Sequence, residues 1–460
     1  MRWLAVLAVA SAVALCGCHV LSADDQGELW AVLVAGSASW MNYRHQADVC
    51  HAYQILHQHG VPDDHIIVMM ADDIANSREN PTPGVIINRP DGPNVYKGVP
   101  KDYTGMDVTP ENFLKVLSGD AAGLQGVGSG KVLKSGPNDR VFINLVDHGA
   151  PGIFGFPRSF LHARNFSDAI LDMSRNKQYK EMVIYLESCE SGSMFQNLLP
   201  DDINVYALSA ANATQPSYAC YMDEHLHTFL GDVFSVKWME DTDREDITKE
   251  SLDKQFHLVR KEVNVSHVLQ WGDKAIGKEM ASNFLGSKES ELSDFGPFPP
   301  FNDPCLKTSV DSTNVSVAII QGRMASAQNE TEATYWAQQM VQLQQNRTWV
   351  TETMYRVALS VTGNEDAANR MMSDRRHTVT RWLCYEESVE AFHRHCFNLG
   401  ENPYALRVLQ PAMSLCEHGY TAPSSPAPPG PFALTPPSRA SSEPVGHRLT
   451  EDAERLQLTA

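Results

Sequence analysis

Five short apolar runs rich in Val and Ile recur through the first half of the chain: "LWAVLVAG" at 29–36, "IIVMMAD" at 66–72, "VFINLVD" at 141–147, "MVIYLES" at 182–188 and "INVYALSA" at 203–210. Scarcely broken by polar positions, they have the pattern of strands buried on both faces of a parallel sheet. Amphipathic stretches between them predict helices over 46–59, 109–117, with Pro110 in the first turn, and 166–177. This alternation predicts a three-layer α/β fold with right-handed crossovers. Residues 287–312, rich in Pro, Ser, Asp and Phe, have a linker composition that closes the first domain. Helical spacing returns at 330–343, 349–361 and 388–398, which predicts a small all-α module, and the Pro/Ser-rich stretch after Gly419 is expected to be disordered.

At 460 residues the chain is too long for one ordinary domain, and 43% hydrophobic with 20% charged residues is a globular composition. The 37 Lys and Arg against 56 Asp and Glu give a net charge of −19, the wrong sign for a protein that holds nucleic acid through its phosphates. Residues 1–22 read as a secretory signal peptide, an apolar run behind Arg2, and neither a second span nor a lipid-anchor signal is expected. Six glycosylation sequons begin at Asn165, Asn212, Asn264, Asn314, Asn329 and Asn346, in keeping with a secretory route to the lysosome or cell exterior. Apart from Cys16 and Cys18, seven cysteines remain, so at least one thiol is unpaired; their crowding near the end predicts a bridged terminal module after a domain with few or no disulfides.

In parallel α/β sheets reactive groups gather at the carboxyl ends of strands. Two ends stand out: "VFINLVDHG", which places His148 and Gly149, and "MVIYLESCESGS", which places Cys189. Adjacent strands would set an imidazole beside a thiol, the pairing that lets sulfur react as thiolate and the ring later protonate a leaving amine. Backbone N–H groups of Gly149 and Cys189 would stabilise the developing oxyanion. The histidines at 45, 51, 57 and 59, and at 225 and 227, lack companion cysteines or carboxylates at ligand spacing, so no metal or other cofactor is expected. "GVGSGKV" at 126–132 resembles a phosphate loop but lacks its first glycine and the hydroxyl after the lysine, and is read as a surface loop.

The segments "VAGSASWMNYRHQADVCHAYQIL", "GVPKDYTGMDVTPENFLKVLSGD", "SGKVLKSGPNDRVFINLVDHGAPG", "YLESCESGSMF" and "SYACYMDE" resemble the legumain family of caspase-like cysteine endopeptidases, over about 28–287 and more weakly to about 418. The resemblance implies a caspase-like sandwich followed by an all-α prodomain, cleavage after Asn, and a self-activating zymogen. It implies Cys189 as nucleophile, His148 as general base and acid, Asn42 orienting the imidazole, and a specificity pocket of Arg44, Glu187, Ser217 and Asp232. Such a pocket suits a carboxamide, because Arg44 can donate to its oxygen while the two carboxylates accept from its nitrogen. An ionised Asp would be repelled there, so Asp is expected to be cut only in acid. Pro216 stands where the family commonly has a small polar residue. The family's Asp at 147 can form a succinimide linked to ligase activity, a role given little weight beside a structural one.

The implied organisation is a signal peptide (1–22), a catalytic domain (23–287), a linker or activation segment (288–329), an autoinhibitory prodomain (330–420) and a tail (421–460). Asn329 is the leading self-cleavage candidate, with Asn314 and Asp311 as alternatives. The basic cluster "RMMSDRRH" at 370–377 is a candidate for docking on an acidic catalytic domain. Family modules carry two disulfides; here Cys384 is expected to pair with Cys416, leaving Cys396 unpaired or mispaired. Partners implied are protein and peptide substrates, the chain's own prodomain and cystatin-type inhibitors, with no nucleic acid and no membrane anchor. Alternatives are a GPI-transamidase-like enzyme, which shares the His and Cys strand ends, and a catalytically silent secreted glycoprotein.

Overall fold

The computed structural model describes residues 27–288, 303–374 and 378–420. The expected signal peptide, the Pro/Ser-rich tail and Arg375, Arg376 and His377 of the basic cluster lie outside the described residues. Six strands form the central sheet: β1 (Leu29–Ala35), β2 (Ile66–Met69), β3 (Arg140–Val146), β7 (Glu181–Glu187), β8 (Val205–Ser209) and β11 (Leu269–Gly272), in the order β11-β8-β7-β3-β1-β2. All neighbours are parallel except β11 on β8. A hairpin sheet of β4 (Gly149–Ala150), β5 (Ile153–Phe156) and β6 (Ser159–His162) follows β3 directly. A third sheet joins β9 (Tyr218–Asp223) and β10 (Thr228–Asp232) to the two-residue strand β12 (Val310–Asp311).

The run of Leu29–Ala35 is buried from Trp30 onward, as a central strand covered on both faces must be. Helices α1 (Tyr43–Gln58), α4 (Val233–Arg244) and α5 (Leu252–Glu262) pack on one face of the sheet, and α2 (Pro110–Ser118) and α3 (Ala163–Arg175) on the other. Helix α2 begins where Thr109 Oγ1 accepts from the Asn112 N–H at 3.1 Å and ends at Gly119, whose φ of 73° few other residues adopt. A short α6 (Ser282–Leu285) closes this domain.

The 288–329 stretch departs from the linker expected of its composition. Its described part folds into α7 (Pro304–Lys307), β12 and α8 (Val315–Ala325), and it lies on the catalytic domain. Cys305 is disulfide-bonded to Cys220 of β9, a bridge across 85 residues that the scattered cysteines gave no reason to expect. The two helices expected at 330–343 and 349–361 are one helix, α9 (Glu330–Thr362), capped by the Asn329 side chain and closed by Gly363 at φ 65°. Helices α10 (Glu365–Ser373), α11 (Trp382–His395), α12 (Pro403–Arg407) and α13 (Leu409–Glu417) complete the module. Cys384 of α11 is bonded to Cys416 of α13, and Cys50, Cys189 and Cys396 are free thiols.

Candidate active site

Because β3 and β7 are parallel neighbours with Val146 opposite Glu187, the turns that follow them leave the sheet side by side. Asp147 N donates to Glu187 O at 3.0 Å, which carries the pairing one residue further and sets His148 and Cys189 at one edge. No hydrogen bond joins the two side chains among the described residues, yet both line one cavity of about 50 Å³. Instead, Cys189 Sγ accepts from the Ser217 backbone N at 3.4 Å and lies 3.8 Å from Ser217 Oγ. His148 Nε2 stands 2.8 Å from Asn42 Oδ1. Since Asn42 Nδ2 donates to the Ala38 carbonyl at 2.9 Å, the oxygen of that amide must be the acceptor. The proton then sits on Nε2, and Nδ1 carries the free lone pair.

The turn carrying the thiol is strained. Glu190 takes a left-handed conformation at φ 50°, uncommon outside glycine. It is held there by its N–H donating to Gln215 O (2.8 Å) and by Ser193, whose N–H and Oγ both donate to its carbonyl (2.8 and 2.6 Å). Gly149 is required by close approach: a Cβ would stand 2.3 Å from Cys189 O and 2.7 Å from Ser188 Oγ. Burial, then the Glu190 charge, pushes the Cys189 thiol well above its ordinary range, while burial and the Arg44 charge hold His148 well below its own. In this closed form the pair is therefore neutral at pH 7.

Behind the pair, Arg44, Glu187 and Asp232 are each 1% exposed. Arg44 Nε donates to Asp232 Oδ1 at 2.9 Å, and Glu187 Oε2 accepts from the N–H and hydroxyl of Ser235 at 2.9 and 3.1 Å. Three of the remaining polar atoms, Arg44 Nη2, Glu187 Oε1 and Asp232 Oδ2, are buried with no hydrogen-bond partner among the described residues. One donor and two acceptors thus stand unsatisfied, at a cost that a ligand of complementary polarity would relieve. Ser217 lies on the thiol side of this group, so all eight catalytic and pocket residues singled out in the sequence fall in one region.

Several buried residues here were not singled out for the pocket. Asp48, one turn beyond Arg44 on α1, accepts from Asp232 N (3.1 Å) and from Asn88 Nδ2 (2.7 Å). His45 lies 2.5 Å from Ser37 Oγ, 3.2 Å from Asp147 and 3.4 Å from Asp232, and its ring meets that of His148 edge-on at 4.8 Å. The available signal was α1 itself, a helix buried on nearly every side that nonetheless carries Arg, His, Gln and Asp. Burial followed by the neighbouring Asp232 charge raises Asp48 and Glu187 well above the carboxylate range, and burial raises Asp147 to about 7. His45, Asp147 and His148 offer ligand atoms within 4.8 Å of one another, but the Arg44 charge that disfavours both imidazolium forms also opposes a cation.

The cleft is covered. Beside Asn42, His148, Gly149 and Cys189, the cavity is walled by Ser312, Thr313, Val315 and Ser316 and by Arg347, Tyr404 and Arg407 of the helical module. Arg347 donates to Thr313 O (2.6 Å) and Ser316 Oγ (2.9 Å), and Arg407 to Thr313 Oγ1 (2.7 Å). Ala150, Ile153 and Phe160 of the hairpin sheet share an apolar cluster with the module. The charge pairs around it are Arg164–Glu386 (3.2 Å), His162–Glu390 (3.5 Å) and Arg158–Glu401 (3.9 Å). Among these described pairs the module supplies the carboxylates, while Arg375, Arg376 and His377 of the basic cluster lie outside the described residues.

Sequence comparison places this geometry among known proteins. Residues 29–287 match the Peptidase C13 family and residues 338–424 the legumain prodomain. Mouse legumain is 50% identical over 86% of this chain and 90% of its own length, and human legumain 46% over 91% and 96%. The delta isozyme of Arabidopsis thaliana vacuolar-processing enzyme is 40% identical over 81% and 83%. A caspase-1 from Spodoptera frugiperda aligns with a TM-score of 0.34 at 10% identity, over 58% of this chain and 93% of its own. The chain belongs to the Peptidase C13 family, as an asparaginyl cysteine endopeptidase of the legumain type made with its prodomain.

Proposed function

We propose that Cys189 attacks the carbonyl carbon of an Asn residue in a protein or peptide substrate, with His148 taking the thiol proton at Nδ1 and giving it to the leaving amine. The tetrahedral oxyanion is met by the backbone N–H groups of Gly149 and Cys189, and water then hydrolyses the thioester with His148 as base. Asn42 fixes the ring by holding Nε2–H. The Asn side chain of the substrate enters the pocket behind the pair, where its oxygen accepts from Arg44 and its nitrogen donates to Glu187 and Asp232, with Ser217 forming the near wall. The observation that carries this reading is the set of three buried polar atoms without a hydrogen-bond partner among the described residues, one on Arg44 and two on carboxyl groups, of which Asp232 Oδ2 also lies 3.4 Å from His45 Nε2; a carboxamide complements such a set.

An aspartyl side chain presents the same shape only when protonated, so it is cut in acid and not at neutral pH. Peptides ending in Asn or Asp before the scissile bond, assayed between pH 4 and 7 with Cys189→Ala as control, test both statements. An Asp peptide cleaved as fast at pH 7 as at pH 5 overturns the pocket assignment. Release of the module by cleavage after Asn329, an exposed residue capping α9, completes activation; Asn314, exposed with its Oδ1 on Arg347, and Asp311 are the other candidates. The exposed Asn165 and Asn264 and the half-buried Asn212 carry glycans in a secretory route ending in a lysosome-like compartment or outside the cell, where cystatin-type inhibitors bind the opened cleft. Among the described residues no helix is long and apolar enough to cross a membrane.

A further inference from the structure

The segment from Asp303 to Asn314 is fastened to the catalytic domain by bonds that do not depend on the helical module. Asp303 pairs with the buried Lys237 at 2.8 Å, Cys305 is bonded to Cys220, and Thr308 Oγ1 accepts from Tyr221 N at 2.9 Å. Val310 and Asp311 then pair antiparallel with Ala219 and Tyr218, and Ser312 N donates to Ser217 O at 3.0 Å. Ser312 Oγ lies 3.2 Å from Ser217 Oγ, the group that itself covers the Cys189 sulfur. The segment thus occupies the free edge of β9 as an extended peptide would, and its far end walls the cavity over the thiol.

Every candidate cleavage point, Asp311, Asn314 or Asn329, lies after Cys305, and cleavage after Asn314 or Asn329 leaves Ser312 and Thr313, which wall the cavity, on the retained side. We propose that the Cys220–Cys305 disulfide retains this segment as a covalently held edge strand over Cys189 after cleavage has freed the helical module, so that opening the cleft fully needs a thiol reductant as well as proteolysis. A second cut anywhere in 289–302 would leave the strand attached, because the crosslink bypasses both breaks. Release is ordinary thiol–disulfide exchange: a thiolate of a low-molecular-weight thiol attacks one sulfur, and a second thiol displaces the mixed disulfide. Both cysteines end as thiols, and the reductant leaves as its own disulfide carrying the oxidising equivalents. Because Cys220 and Cys305 are both fully buried in the catalytic domain's core cluster, exchange is slow while the edge pairing of the segment holds and quickens when that pairing opens.

The proposal rests on the reading of Cys189 as nucleophile for its effect on activity but not for the crosslink, and the test separates the two. Full-length protein is processed in acid without reductant, and iodoacetamide labelling of Cys189 is followed by mass spectrometry before and after treatment with a dithiol removed by desalting. Cys189 labelling is expected to rise at least about five-fold after the dithiol, in step with the appearance of alkylated Cys220 and Cys305. In Cys305→Ser and Cys220→Ser it is expected to be fast without any dithiol, and cleavage of an Asn peptide should follow the same order. Equal labelling of Cys189 in wild type and both variants without reductant overturns the proposal, as does full labelling while the disulfide is intact. Labelling that follows the disulfide in a protein that cleaves nothing would uphold the tether and remove the nucleophile. The wild-type comparison needs no variant, so a misfolded Cys→Ser protein does not leave the question open.

Discussion

At the residue scale, the burial of titratable groups sets how this domain responds to pH. Asp147 has its pKa raised to about 7, so between its ordinary value near 4 and 7 the folded state binds more protons than the unfolded chain. Its contribution to stability is therefore present in acid and lost as pH rises through about 7, on the order of 4 kcal/mol for one fully buried group. His45 and His148, lowered by burial and then by Arg44, act in the opposite sense: they favour the fold above their ordinary range and oppose it as the pH falls. Comparing denaturant midpoints of wild type and Asp147→Asn from pH 4 to 7 isolates the carboxyl: the difference should grow toward neutral pH in favour of the variant. A gap that does not change with pH would remove the assignment. Asn42→Ala frees the imidazole to turn without touching the pocket, and is expected to lower kcat by roughly 10- to 100-fold with little change in KM, the usual effect of losing a residue that orients a catalytic ligand or base.

At the scale of elements, the strand ends were readable because apolar runs of this length and composition have little choice but a buried sheet, and the residues after them must emerge at its edge. Reading two helices where α9 runs unbroken had a physical cause: Asn346 and Thr348 are poor helix formers, and local propensity yields here to Arg347, which is pinned by Thr313, Asn314 and Ser316. The segment before α8 looked like a linker for a similar reason, since its composition cannot report a crosslink made to Cys220. The pocket residues on α1 beyond Arg44 were hidden because buried polar partners come from β10 and from the loop holding Asn88, far away in sequence. Docking of the module has a clear anchor in Trp382, whose ring faces Gly152 so closely that a Cβ there would stand 2.6 Å from it. Trp382→Ala should cost the closed form about 2–4 kcal/mol, measurable as greater cleavage of an Asn peptide by unprocessed variant than by unprocessed wild type at pH 7.

At the scale of the whole molecule, the chain covers the cleft that holds its proposed nucleophile. Cys189 is 3% exposed beneath the activation segment and the module, whereas Cys396 is half-buried. Brief iodoacetamide treatment of the unprocessed protein should therefore label Cys396 well before Cys189, and an order reversed in the intact precursor would contradict the closed arrangement. The carboxylates that the module turns toward Arg158, His162 and Arg164 form a rim of solvent-accessible pairs around its apolar contact, each contributing at most about 1 kcal/mol. With Glu386 and Glu390 both changed to Gln, two of these pairs are lost, and separated fragments should appear on a gel sooner than in wild type at the same pH; an unchanged rate would place the module's hold in its apolar contacts. One helical turn also binds two properties together. In the proposed mechanism Asn42 steadies the base and Arg44, two residues later, selects the side chain, while His45 touches the surroundings of both. A protein engineer who reshapes this turn to accept a longer amide will disturb the proton-transfer step in the same stroke, so altered selectivity should arrive with slower turnover until a compensating change restores the imidazole's support.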